Sequence, residues 1–216
     1  MAQAFSPSAV LAIKLFLLTA LLLLFAAIAG LRWYMQPAAA MEQPVEQPIP
    51  FSHKHHAGDD GIDCRYCHTS VEKSAFAGLP STQICLTCHS QLYRDSPMLA
   101  PLHASARDNK PIRWNRVHDL PDFVYFDHSI HVNKGVACVE CHGRVDQMPL
   151  TWRVASLDMQ WCLGCHRSAP QHIRPLSEVF SMTANRPLSQ QEIAQLNRLY
   201  RLQDTRRLTD CSTCHR

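Results

Sequence analysis

Outside its N-terminal run, this 216-residue chain has few long, periodic apolar segments. What remains is polar and rich in proline and histidine, so a conventional core for a domain of that size would be thin. Charge of one sign is also scarce. The formal net charge is +3 and the pI about 8.4, which gives no argument for a nucleic-acid partner, and none is expected. No cysteine is spare, because all ten belong to one repeated phrase. That leaves none for iron–sulfur clusters or a separate zinc site in this chain. No C-x-x-C-K occurs either.

The repeated phrase is C-x-x-C-H, the attachment motif of c-type haem. It occurs at Cys64, Cys67 and His68; Cys85, Cys88 and His89; Cys138, Cys141 and His142; Cys162, Cys165 and His166; and Cys211, Cys214 and His215. The two thiols form thioethers to the haem vinyl groups, and the adjacent histidine becomes the proximal iron ligand. A disulfide framework gives no reason for a histidine after every second cysteine. Structural zinc does not require one there either. A thioredoxin-like pair would occur once, beside a βαβ pattern. The chain is therefore expected to carry five covalently bound haem c groups, each with its iron. The expected fold class is a multihaem cytochrome c, mostly α and irregular, with a haem-filled core and one N-terminal transmembrane helix.

Residues 9–31 form the long apolar run, and from Leu15 to Leu31 it holds no charge. That is enough to span a bilayer. Ala38-Ala39-Ala40 resembles a signal-peptidase site, but the run exceeds the apolar region of a typical signal, so a retained anchor is expected. Trp33 and Tyr34 suit the membrane interface, while Lys14 and Arg32 nearly balance and decide no orientation. Haem is attached outside the cytoplasmic membrane. The reading is thus a single-pass protein of the bacterial inner (cytoplasmic) membrane, with a cytoplasmic N-terminus and its haem domain on the periplasmic or outer face. The expected domains are residues 1–35 as anchor, 36–50 as a Pro- and Gln-rich semi-rigid linker, and 51–216 as the pentahaem domain.

Within that domain Phe51-Ser52-His53-Lys54-His55-His56 leads into the first two motifs, and Phe126-Asp127-His128-Ser129-Ile130-His131 leads into the third and fourth. Both read F-x-H-x-x-H, so the chain contains two two-haem modules and a separate fifth motif. Histidines at i and i+3 leave one helix face in similar directions and cannot sit on opposite sides of one iron. His53 and His128 are expected as distal ligands of the first and third haems, with His56 and His131 reaching to neighbouring haems. His118 is the fifth distal candidate. His55, His103 and His172 are expected to be non-ligating. Met159 is a possible distal alternative, and Met148 and Met182 are further thioethers; a methionine ligand would raise the potential. Residues 91–125, with four prolines, read as a wrapping loop. Ser189-x-x-Glu192 opens an amphipathic helix over 189–204. The chain stops one residue after His215, so the fifth haem is expected to be held from one side only, which makes it a candidate end of the array.

The stretch Arg116-Val-His118-Asp-Leu-Pro-Asp-Phe-Val-Tyr-Phe-Asp-His128-Ser-Ile-His131-Val, followed by Met159-Gln-Trp161-Cys162 and Cys165-His166-Arg167, resembles the pentahaem cytochrome c subunit of bacterial alternative complex III. The resemblance covers nearly the whole chain. A related multihaem subunit of other membrane quinone reductase complexes shares the Val-His-Asp-Leu-Pro-Asp phrase. The resemblance implies an electron-transfer subunit of a quinol:acceptor oxidoreductase. Its implied partners are polytopic quinol-binding subunits, an iron–sulfur protein and a monohaem cytochrome c, with a monohaem cytochrome c or copper protein as acceptor. Two other readings are kept: a membrane-anchored quinol dehydrogenase cytochrome acting without a larger complex, and a catalytic multihaem enzyme.

Overall fold

Residues 6–34, 41–183 and 186–215 are described by a computed structural model of the chain. The Ala38–Ala40 stretch and the first part of the expected linker lie outside these residues. The chain separates into two units, Met1–Ala40 and Met41–Arg216.

Among its described residues, the first unit holds one helix, α1 (Pro7–Tyr34). Its start is written locally. The Ser6 hydroxyl accepts the Ala9 N–H at 3.3 Å, and Pro7 sits in the first turn, where a missing N–H is harmless. Thr19 returns its hydroxyl proton to the Leu15 carbonyl at 2.8 Å, so the one mid-helix polar side chain is satisfied internally. At about 1.5 Å per residue α1 is about 42 Å long, beyond the roughly 30 Å of a bilayer's hydrocarbon layer. By length and composition it fits a single-pass membrane anchor.

The second unit is a set of short helices joined by irregular chain. They are α2 (Cys64–Cys67), α3 (Thr82–His89), α4 (Ala100–Asp108), α5 (His128–Asn133), α6 (Cys138–His142), α7 (Met159–Arg167), α8 (Gln190–Tyr200), α9 (Thr205–Leu208) and α10 (Cys211–Cys214). A π-helical turn covers Lys54–Asp59. Among the described residues there is no strand, and β-pairing amounts to an antiparallel bridge between Val136 and Ile173. With little apolar periodicity, these helices depend on their ends. Asp63, Asp127, Asp158, Asp204 and Asp210 each cap a helix by accepting backbone N–H groups of its first turn.

Three local expectations change in detail. The capping box of Ser189 and Glu192 is present, but α8 ends at Tyr200 rather than 204. Arg201 turns left-handed (φ 50°), and Asp204 then opens a new helix. Residues 91–125 are not all loop, because Pro101 falls in the first turn of α4, where proline is tolerated. Residues 41–50, expected as a spacer, run against the second unit instead. Glu42 N–H donates to Arg153 O at 2.8 Å, Val45 N–H to Thr151 O at 3.1 Å, and Ile49 is buried. Extended chain leaves such N–H groups unpaired until a neighbouring segment accepts them.

The packed core is as thin as composition implies. One cluster, Val71, Val132 and Val179 with Ala77 and Phe180 against it, joins the stretch between the first two motifs to the α5 helix and to the segment after the fourth motif. The modules also meet at Gly58, where a Cβ would stand 2.2 Å from the Asp146 carbonyl oxygen. Gly58→Ala must push the π-helical turn away from the turn at Val145–Gln147, at about 1–3 kcal/mol for overpacking. Thermal unfolding should show a lowered midpoint, and an unchanged one would contradict the close approach.

Candidate haem sites

The five motif cysteine pairs lie on α2, α3, α6, α7 and α10. Three residues apart on a helical turn, both thiols of a pair leave the same face, as attachment to one macrocycle requires. Aspartate caps place three of these turns: Asp63 before Cys64, Asp210 before Cys211, and Asp158 at the start of α7. The sequence reading passed over these caps, although Asp63 and Asp210 directly precede their motifs and Asp158 stands four residues before Cys162. No two cysteines are bridged. Burial pushes the Cys138 and Cys141 thiols up to about 12, and it raises Cys64, Cys67, Cys85, Cys162 and Cys165 above the ordinary thiol range. The third motif is the most deeply set.

Histidines from distant positions meet across these faces in pairs. His53 faces His68 with ring centroids 6.5 Å apart and planes 5° from parallel, and His128 faces His142 at 6.3 Å and 7°. His56 stands 6.1 Å from His89, and His131 6.1 Å from His166. The two F-x-H-x-x-H segments superpose in kind: Phe51 stacks on His56 at 4.4 Å and 26°, Phe126 on His131 at 4.5 Å and 25°. Metal–imidazole bonds of about 2 Å on each side, plus about 1 Å from ring nitrogen to ring centre, put two imidazoles on one metal about 6 Å apart. All four pairs have that spacing.

Hydrogen bonds prepare the inward nitrogens. Nδ1 of His56, His68, His89, His128, His131, His166 and His215 lies 2.7–3.1 Å from the carbonyl oxygen of Ser52, Gly78, Leu92, Ala75, Asp127, Leu208 and Phe123 respectively. A carbonyl only accepts, so each Nδ1 carries the proton and each Nε2 keeps a bare lone pair. This is the tautomer a metal ligand needs, fixed by its outer partner. His53 Nδ1 is held by the Thr151 hydroxyl at 2.9 Å. Among the described residues no group of three or more His, Cys, Asp or Glu side chains gathers as an all-protein metal cage. Opposed imidazole pairs beside cysteine pairs suit a macrocycle that brings its own equatorial nitrogens.

The remaining candidates are placed differently. His118 does not face His215. Its ring lies edge-on to His142 at 4.3 Å, too close for two ligands of one iron, and its buried Nε2 has no hydrogen-bond partner. Its route back from α4 brings it beside the third site. His215 has the Phe123 ring at 5.8 Å instead. His103 also carries a buried, unpartnered Nε2. His172 is engaged by Ser168 and Glu140, and His55 lies beside Asp60. Met159, the first residue of α7, is 59% exposed, whereas Met148 is fully enclosed.

Burial lowers His142 to about 3 and His53 to about 4, so both imidazoles stay neutral well below neutral pH. The unfolded chain, with ordinary histidines, binds more protons in that range. Stability is therefore complete above about pH 6.5 and is lost progressively as pH falls toward these folded values. Iron on Nε2 would oppose protonation in the same sense. Thermal melts should show a midpoint falling between pH 7 and 4, and a midpoint rising with acid would contradict the burial.

Two families match the chain in separate halves. Residues 124–216 match cytochrome c7 and related cytochrome c, and residues 32–109 match the class III cytochrome c family. The break between them falls where the sequence repeat places it. The fold is that of the multihaem cytochromes c, mostly helical and irregular, with covalently bound haem c. The chain is also similar to the menaquinone reductase, multiheme cytochrome c subunit, of Nitratidesulfovibrio vulgaris (strain Hildenborough), with 40% identity over 111 residues. That stretch is 51% of this chain and 51% of the relative, so the match spans about half of each.

Proposed function

We propose that this chain is the electron-transfer subunit of a quinol-linked membrane complex, with five haem c groups attached at its five motifs. Bound haem c supplies reversible one-electron chemistry at iron, tuned by axial ligands, burial and hydrogen bonding. His68, His89, His142, His166 and His215 act as proximal ligands. His53, His56, His128 and His131 act as distal ligands of the first, second, third and fourth sites. His131 rather than Met159 serves the fourth. The observation that carries this reading is the set of four imidazole pairs 6.1–6.5 Å apart, each beside a cysteine pair. His53 and His56 leave one turn toward different sites, as do His128 and His131, so each F-x-H-x-x-H segment ties two neighbouring centres together. With both axial positions filled at those four sites, substrate chemistry at iron is disfavoured there and electron relay is favoured.

The similarity to a menaquinone reductase subunit supports a quinol-oxidising or quinone-reducing partner in the membrane. The finer reading is an alternative complex III-type assembly. Its polytopic quinol-binding subunits, iron–sulfur protein and monohaem cytochrome c lie alongside this chain, and a monohaem cytochrome c or copper protein is the outer acceptor. α1 anchors the chain with its N-terminus in the cytoplasm and the haem unit on the periplasmic or outer face.

Mass spectrometry of the purified chain should find five covalent haems, and paramagnetic resonance should resolve four bis-histidine low-spin centres and a fifth of another class. Five identical centres, or large high-spin content at several sites, would sink the ligand assignment. Isolation from membranes should bring down polytopic subunits. Quinol oxidation by the purified single chain would instead favour a stand-alone quinol dehydrogenase.

A further inference from the structure

We infer that the five attachment sites are arranged in space as second–first–third–fourth–fifth rather than in chain order, so that electrons enter and leave through the second and fifth. This rests on the five-haem reading above and adds the path through it.

Each neighbour relation stands on its own contacts. The second and first sites are joined by a hydrogen bond between Tyr66, inside the first motif, and Thr87, inside the second, at 2.8 Å. His53 and His56, facing the first and second motif histidines, share one helical turn. The first site then meets the third across the boundary between modules. His53 is held by Thr151, Lys54 N–H donates to Met148 O at 3.0 Å, and both partners belong to the segment after the third motif. In return His128 is held by Ala75, and Asn133 donates to Glu72 O at 2.9 Å, from the segment after the first motif. The third and fourth are tied by His128 and His131 on α5, which face His142 and His166 respectively. The fourth and fifth meet where His166 Nδ1 donates to Leu208 O at 2.8 Å, just before the fifth motif.

Among the described residues, no side-chain hydrogen bond joins 82–110 to the segments carrying the third, fourth or fifth motif. Burial grades the same way. Of the ten cysteines only Cys88 and Cys211 are exposed, one in the second motif and one in the fifth. Two ends and a buried middle are what a linear array requires. A ring or a branched cluster would not single out these two motifs.

A haem count separates this order from the cofactor reading: fewer than five covalent haems per chain fails that reading, and with it an order of five. In the fully reduced holoprotein, each haem is identified by nuclear Overhauser contacts to its own cysteines. Contacts should then link the haem on Cys64 and Cys67 to the one on Cys138 and Cys141. None should link the latter to the haem on Cys85 and Cys88. A direct contact between the second and third haems, without one between the first and third, overturns the order. A kinetic test uses C64A/C67A and C85A/C88A chains with electrons from an excited photoreductant, which is oxidised as one ferric iron becomes ferrous. Losing the first site should remove one haem's amplitude from the fast equilibration phase, whereas losing the second should leave a single fast phase. The reverse pattern overturns the proposal.

Discussion

Replacing His128 with methionine should raise the midpoint potential of one haem by a substantial part of the about 0.8 V range that axial ligands command. His128 is the sharpest site for this test. Its ring faces His142 at 6.3 Å and 7° from parallel, and Ala75 O fixes its Nδ1 proton at 2.8 Å. A thioether donates less electron density to ferric iron than imidazole does, so the oxidised form loses more and the potential rises. The Ala75 carbonyl keeps the His128 backbone N–H as donor at 3.1 Å, so the loop need not collapse with the side chain. His55→Met is the control, because His55 is exposed and faces Asp60. A spectroelectrochemical titration in which His128→Met and His55→Met behave alike would remove His128 from the ligand set. A rise confined to His128→Met, with a methionine-ligated low-spin signal, would support it.

Removing residues 1–40, with a cleavable secretion leader in their place, should move the haem-loaded chain from the membrane fraction to the soluble fraction. α1 carries fourteen Leu, Ile, Phe and Val side chains, all outside any core. At about 0.3–0.6 kcal/mol each these favour insertion by about 4–8 kcal/mol. Lys14 and Arg32 lie toward the ends, where long side chains reach the interface and lose little of that gain. Residues 41–50 stay with the second unit through Glu42, Val45 and Ile49, so the cut falls outside its packing. Covalent haem content should not change. If the truncated chain still sediments with protein-free vesicles, the anchor reading of α1 fails.

Much of the chemistry was legible because it is written over five residues at a time. Thioether attachment needs two thiols on one face and a histidine beside the second, and C-x-x-C-H meets that need wherever it sits. The anchor was equally plain, since a charge-free run of that length has few other uses. The capping box at Ser189 was readable too, being a local hydrogen-bond pattern. The end of α8 was not, because a left-handed Arg201 followed by an Asp204 cap leaves no periodic signal. The placement of His118 depends on the fold in a related way. Its setting among tryptophan and arginine marks a buried position, but only the path of the chain after α4 decides which site it approaches. That path brings it against His142.

By itself, then, the sequence determined the number and type of attachment motifs, the two-module repeat, an apolar helix long enough to span a membrane, and the expectation that something other than side chains fills the core. These follow from short-range rules of spacing and composition. Only the tertiary structure decided which imidazoles face each other and that residues 41–50 lie along 151–153. Those depend on contacts between residues far apart in the chain, such as Thr151 with His53, Asp146 against Gly58 and Ala75 with His128. Such contacts form where two irregular segments satisfy each other's polar groups at close range, and no periodicity in either segment announces the match.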